Sequence, residues 1–239
     1  MKVTYIGHSG FLVETDDGLF LFDYYRTETA GGFPALDRTK QLYAFSSHFH
    51  SDHYTPEIFA ILSDHPKIRY IFSADIQAKQ VPAEQIKKVT FVKADNTCKF
   101  EEAGGAVVVR TLKSTDSGVA FLVESGGKRF YHAGDLNWWT WDDDTKQEAN
   151  DMKARFTREI DKLRGISIDA AFLPLDPRQG ALFWKGFDYA MRTADIKTAF
   201  PMHMWNDFTV IDQLMEMEIS APYRQKIVNL STGENTYEF

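Results

Sequence analysis

Four side chains able to hold a metal ion fall within six residues, in the segment Ser47-His48-Phe49-His50-Ser51-Asp52-His53. The chain has seven histidines among 239 residues, so three in one short segment is poorly explained by coincidence. Imidazole and carboxylate are good ligands for zinc and similar divalent ions. The run Leu42-Tyr43-Ala44-Phe45-Ser46 just before the segment reads as a buried strand. A loop at such a strand end turns several ligands toward one point while the strand holds it rigid. Clustered histidines bring no advantage as a cap for a helix opening at Pro56. The chemistry expected is metal-assisted hydrolysis. A bound divalent ion lowers the pKa of its water toward about 7, and the resulting hydroxide attacks a carbonyl or phosphoryl centre. Ser9 and Ser47 have no separate His/Asp arrangement and read as loop hydroxyls. The single cysteine, Cys98, excludes an internal disulfide and reads as a partly buried thiol.

The elements that must position these residues are mostly strands in the first half. Val3–Ile6, Phe11–Glu14 and Leu19–Phe22 are short and apolar, and Asp16-Asp17-Gly18 is a hairpin signal. Residues 26–40, with Gly31, Gly32 and Pro34, read as a loop. Pro56 opens a helix through Leu62, and His65 before Pro66 reads as solvated. Further strands are expected at 68–72, 89–92, 107–112, 119–124 and 129–132, with a short helix over 74–80. Met152, Phe156, Ile160 and Leu163 recur at helical spacing within 148–163. Strands at 168–173 and 198–200 then alternate with helices at 187–194 and 209–217, and 227–230 reads as the last clear strand. No linker, repeat or low-complexity tract divides the chain. One α+β domain over 1–239 is expected, with sheet layers covered by helices.

His48, His50, Asp52 and His53 match the HxHxDH signature of the metallo-β-lactamase superfamily, which this chain resembles over nearly its whole length. Tyr5-Ile6-Gly7-His8-Ser9-Gly10-Phe11-Leu12-Val13, Leu21-Phe22-Asp23, Phe130-Tyr131-His132-Ala133-Gly134-Asp135 and Pro201-Met202-His203 look like its other landmarks, in order. The opening GHSGFLVE looks most like the ascorbate-phosphate lactonase-like branch. The resemblance implies a four-layer αββα sandwich with the site at one edge of the paired sheets. It implies that His48 and His50 hold one ion, that Asp52, His53 and His203 hold a second, and that Asp135 bridges them. Asp52, Asp135 and His203 would be the catalytic residues. Asp23 would accept a hydrogen bond from a ligand imidazole and fix its tautomer. His8 is at no ligand position of the superfamily and reads as structural or as a neighbour of the ligands.

One landmark is missing. The superfamily usually has a further histidine just before the glycine that opens the strand at Val119, where this chain reads Lys113-Ser114-Thr115-Asp116-Ser117-Gly118. Asp116 or Thr115 occupies the place, and an Asp116 oxygen ligand would favour manganese, iron or magnesium over zinc there. Alternatively that position is weak and one ion suffices, or His132 approaches the gap. One or two divalent ions per chain are expected, zinc first, with manganese or iron as alternatives. Trp138, Trp139 and Trp141 follow Asp135 closely and suit a pocket wall or lid, or packing on the next helix. Arg178, after a predicted strand end, suits a substrate carboxylate or phosphate, or a surface ion pair.

The partner expected is a small anionic substrate with an ester, lactone or phosphodiester bond. A net charge of −7 disfavours nucleic acid, and a homo-oligomer is compatible with the sequence. The alternatives are a nucleic-acid phosphodiesterase on the same fold and a catalytically weak metal- or ligand-binding protein. The opening residues lack a signal-peptide pattern, and no run approaches a membrane span, so a cytoplasmic protein outside the membrane is expected.

Overall fold

A computed structural model describes all residues except 29–31 and 103–104, so Gly31 of the expected 26–40 loop lies outside the described residues. The chain begins with β1 (Lys2–Gly7), β2 (Gly10–Glu14), β3 (Gly18–Phe22) and β4 (Gln41–Ser46). The Asp16-Asp17-Gly18 hairpin is present, with Thr15 N–H donating to the Gly18 carbonyl at 3.0 Å. Then come α1 (Ile58–Ile61), β5 (Ile68–Ser73), β6 (Val89–Val92), β7 (Thr97–Glu102) and β8 (Gly105–Lys113). The second half holds β9 (Val119–Ser125), β10 (Lys128–His132), α2 (Lys146–Ile160), β11 (Ser167–Pro174), α3 (Lys185–Thr193), β12 (Asp195–Met202), α4 (Thr209–Glu216) and β13 (Thr236–Glu238).

Two mixed sheets result, ordered β13-β1-β2-β3-β4-β5-β6 and β12-β11-β10-β9-β8-β7. β3 through β6 run parallel, as do β10 through β12, and the hairpins are antiparallel. Alternation decides which side chain enters which layer. Phe20, Phe22, Tyr43 and Phe45 join Phe121, Phe130, Phe172 and Phe200 in one core between the sheets, with Phe156 of α2 and Phe187 of α3. Phe11 meets Phe172 at 4.4 Å and Phe45 meets Phe121 at 5.1 Å between ring centroids. Leu19, Leu21, Leu42 and Ala44 point the other way, onto Ile58 and Phe59 of α1. Strands buried on both faces read as continuous apolar runs, as β3 and β4 do. The layers are helix, sheet, sheet, helix. Among the described residues, no helix is long and apolar enough to cross a membrane.

Four local expectations need correction. The short helix expected over 74–80 is only a single 3-10 turn at Ala78–Gln80. The helix opening at Pro56 is regular only over Ile58–Ile61. Residues 227–230 form no strand, and Ile227 makes one isolated bridge to Ala199. The last strand is β13, a short polar edge on β1 that has no hydrophobic run to announce it. His65 is buried, with Nε2 3.4 Å from the Asp37 carbonyl, because the turn before Pro66 folds it inward.

Candidate metal centre

The parallel β3 and β4 end side by side, and their ends build the base of the site. Asp23 follows β3 with φ +42°, a strained backbone for a non-glycine residue. Its fully buried carboxylate accepts Ser47 N–H at 2.7 Å, Ser47 Oγ–H at 2.6 Å and His53 Nδ1–H at 2.7 Å. The last bond fixes the tautomer, so the neutral imidazole would present its Nε2 lone pair to the site. His48 Nδ1 lies 3.0 Å from Ser47 Oγ, which turns Nε2 of that ring outward as well. The loop closes on itself through His53 N–H to the His50 carbonyl at 3.0 Å.

The second sheet supplies the remaining groups. Gly134, at φ +50°, has no room for a Cβ, which would stand 2.6 Å from Ser47 Cβ. This close approach delivers Asp135 from the end of β10. His203 follows β12 at φ +66°, and its backbone N–H donates to the His8 carbonyl at 3.3 Å. Asp116 lies in the loop between β8 and β9.

Two clusters form, each with its ligand atoms within 4.8 Å of one another. The inner cluster is His8, Asp52, His53 and His203, and the outer is His48, His50, Asp116 and Asp135. Asp135 lies between them. Its Oδ1 is 3.2 Å from His53 Nε2 and 3.4 Å from His203 Nε2, while Oδ2 is 3.5 Å from His48 Nε2. In the outer cluster, His48 Nε2 approaches His50 Nδ1 at 3.0 Å and Asp116 Oδ2 approaches the same His50 nitrogen at 3.6 Å.

The electrostatics describe a site short of positive charge. Burial disfavours charge on His53, yet the Asp135 and Asp23 carboxylates outweigh it and hold the imidazole well above its usual pKa. Burial and the neighbouring His53 push His48 down to about 4. Asp135 stays ionised far below the usual carboxylate range, because His53 and His203 overcome its burial. Among the described residues, Nε2 of His8, His53 and His203 and Oδ1 of Asp135 are buried without a well-formed hydrogen bond, although they stand 3.2–3.4 Å from one another or from Asp52. Buried polar atoms are rarely left so. Four converging lone-pair donors of imidazole and carboxylate type fit a divalent cation.

The residues expected from sequence are placed as follows. His48, His50, Asp52, His53, Asp116, Asp135 and His203 converge, and Asp23 contacts His53. Thr115 does not face the clusters: its hydroxyl donates to the Asn137 carbonyl at 2.6 Å. His132 spends both nitrogens, Nε2 on the Ser9 carbonyl at 2.8 Å and Nδ1 on Gly134 N–H at 3.2 Å, so it cannot fill the gap. Trp138 is corrected as a substrate contact: it packs against Phe156 and Tyr189, at 6.0 and 6.3 Å between centroids. Trp139 instead faces His203, at 5.5 Å between centroids.

Arg178 is not a free cation. Its Nε and Nη2 donate to the buried Asp176 carboxylate at 3.0 and 2.5 Å, while its guanidinium lies 4.5 Å over the Trp205 ring. Asp176 in turn accepts His203 Nδ1–H at 2.9 Å, and this bond and those from Arg178 overcome burial to hold its carboxyl at about 2. Asp176 and Trp205 are not identified from sequence as parts of the site, and His8 is expected there only as structural or as a neighbour of the ligands. A signal for Asp176 existed in its position at a strand end, two residues before Arg178.

Known proteins share this fold. A family model described as a beta-lactamase superfamily domain matches residues 2–152. A UPF0173 metal-dependent hydrolase of Alkaliphilus metalliredigens (strain QYMF) is similar at 27% identity over 254 aligned residues, covering 100% of both chains. One from Nanoarchaeum equitans (strain Kin4-M) is 26% identical, covering 88% of this chain and 86% of its own. Igni18, a metallo hydrolase from Ignicoccus hospitalis KIN4/I, shares the fold with a TM-score of 0.68 and 17% identity, over 100% of this chain and 98% of that one. With the family match spanning more than half of the chain and two His/Asp clusters that could hold metal ions, the chain belongs to the metallo-β-lactamase superfamily and is one of its metal-dependent hydrolases.

Proposed function

We propose that this chain hydrolyses an ester, lactone or phosphodiester bond of a small anionic substrate, with divalent ions held by the two clusters. The observation that carries the reading is Asp135, whose two carboxylate oxygens face different clusters. His48, His50, Asp116 and Asp135 would hold one ion, and Asp52, His53, His203 and Asp135 the other. When bound, such ions supply Lewis acidity and make a water a nucleophile near neutral pH. The oxygen of Asp116 in place of an imidazole keeps manganese and iron beside zinc as candidates. Asp52, the partly exposed carboxylate of the inner cluster, would orient the attacking water.

Arg178 supports the anionic substrate. Although paired with Asp176, its side chain is about half exposed and close enough to Asp52 and Asp135 to feel their charge, which sets a cation beside the clusters where a carboxylate or phosphate would bind. Trp139, Trp205 and Phe49 rim the same mouth, the last two exposed. Among the bond types, the likeness of Gly7–Glu14 to the lactonase-like branch favours a lactone. The acidic chain favours a small molecule over nucleic acid. The reading is tested by assaying zinc- and manganese-loaded protein on a panel of lactones, aryl esters and aryl phosphodiesters, before and after exhaustive chelation. Loss on chelation with recovery on metal return is expected, and full activity without metal overturns it.

A further inference from the structure

His8 has no part in the roles given above, yet it is built into the site. It occupies the turn between β1 and β2 at φ +50°, where a non-glycine residue is strained. The ring is almost completely buried, and among the described residues Nε2 makes no well-formed hydrogen bond. That nitrogen lies 3.3 Å from Asp52 Oδ2, the oxygen that also faces His53 Nε2 at 3.7 Å and His203 Nε2 at 3.8 Å. The His8 carbonyl accepts the backbone N–H of His203, so the strained turn is tied to the strained residue it faces. A buried imidazole nitrogen without a well-formed hydrogen bond is costly, and the 3.3 Å contact with Asp52 does not make one. All three imidazoles of the inner cluster thus present an orphan nitrogen to one carboxylate oxygen.

The two clusters differ in access. Side chains of His8, His53 and His203 are at most 2% exposed, whereas His50 and Asp116 of the outer cluster are 39% and 46% exposed. We infer that His8 is a further protein ligand of the inner cluster, and that it makes this cluster the retained metal site and the outer cluster the exchangeable one. The inference rests on the reading of both clusters as metal sites. An added imidazole crowds the inner ion and leaves less room for solvent to enter its coordination sphere. The outer ion then keeps the more open face toward solvent and substrate.

The test uses cobalt(II) as a spectroscopic probe on the full chain, followed by its release to excess chelator. The parent should lose cobalt in two phases, the slow one from the inner cluster. In His8→Ala the slow phase should quicken by at least about tenfold, and the cobalt absorption bands should change as one imidazole is lost. Added free imidazole should restore both in His8→Ala, which a purely structural histidine would not allow. His8→Gln keeps most of the side-chain volume and guards against a variant that misfolds. An unchanged slow phase and spectrum in both His8 variants, with Asp52→Ala losing the slow phase, overturns the inference and leaves the two-cluster reading intact. Cobalt content that Asp52→Ala leaves untouched overturns both.

Discussion

Asp135 divides its two oxygens between the clusters, and that makes it the residue on which both depend. Asp135→Ala should lower metal occupancy at both positions, with affinity falling by more than the 10- to 100-fold typical of groups that only orient a ligand. Metal analysis after dialysis against a fixed free-metal level checks this, and loss confined to one position would show that Asp135 does not bridge. Asp176 acts at one remove. Its folded carboxyl ionises near 2, below the value near 4 of an unfolded aspartate. Its contribution to stability is therefore complete above about pH 4 and is lost as pH falls toward 2. In the metal-free protein, Asp176→Asn should be less stable than the parent at pH 7, and the gap should narrow below about pH 4. Urea melts across that range would show a constant gap if Asp176 were not ionised. At this scale the ligand loop was legible because His48, His50, Asp52 and His53 are contiguous. Asp176 was not, and His8 was legible only as structural or as a neighbour of the ligands, since each meets the site through a contact between distant segments, at 2.9 Å to His203 and 3.3 Å to Asp52. Trp138 and Trp139 are adjacent and chemically alike, so only the fold could tell which one faces His203.

Strand ends do the positioning, and glycines let the two sheets approach where they do. Gly118, at φ +68°, leads into β9, whose first N–H, on Val119, donates to the Ser47 carbonyl at 2.9 Å. A Cβ on Gly118 would collide with that carbonyl and stand 2.6 Å from His48 Cβ. Gly118→Ala should cost about 1–3 kcal/mol from backbone strain alone and push the ligand loop off its anchor. Metal should be lost first from the outer cluster, which contains His48. Urea unfolding combined with metal titration measures both effects, and a variant with parental outer-site affinity would show that this contact does not set the loop. Elements with strong periodicity were legible: the two-faced apolar runs of β3 and β4 and the 3.6-residue repeat of α2. β13 was not, because Thr236-Tyr237-Glu238 earns its strand conformation only by pairing with β1. The segment 227–230 has a strand-like composition, but Ile227 makes only its one bridge to β12.

In the whole molecule the ligands straddle the interface between the sheets. His8, His48, His50, Asp52 and His53 come from ends of β1 and β4 in the first sheet, while Asp116, Asp135 and His203 come from the second. Ions held there would tie the sheets together at the edge of their shared core, and would neutralise carboxylates that burial otherwise penalises. Binding to the folded state alone stabilises it by about 4 kcal/mol per site when free metal is a thousandfold above the dissociation constant. For a chain of this size each kcal/mol moves the melting temperature by about 2–4 °C. Removing metal by chelation should therefore lower the melting temperature by about 10 °C for one site and more for two. Asp135→Ala should melt at nearly the same temperature with and without metal, because it removes the group shared by both clusters. Calorimetry on the four samples separates this linkage from a general effect of ionic strength, which would shift parent and variant alike. Identical melting of loaded and chelated parent would mean that the clusters hold no ion tightly enough to join the sheets.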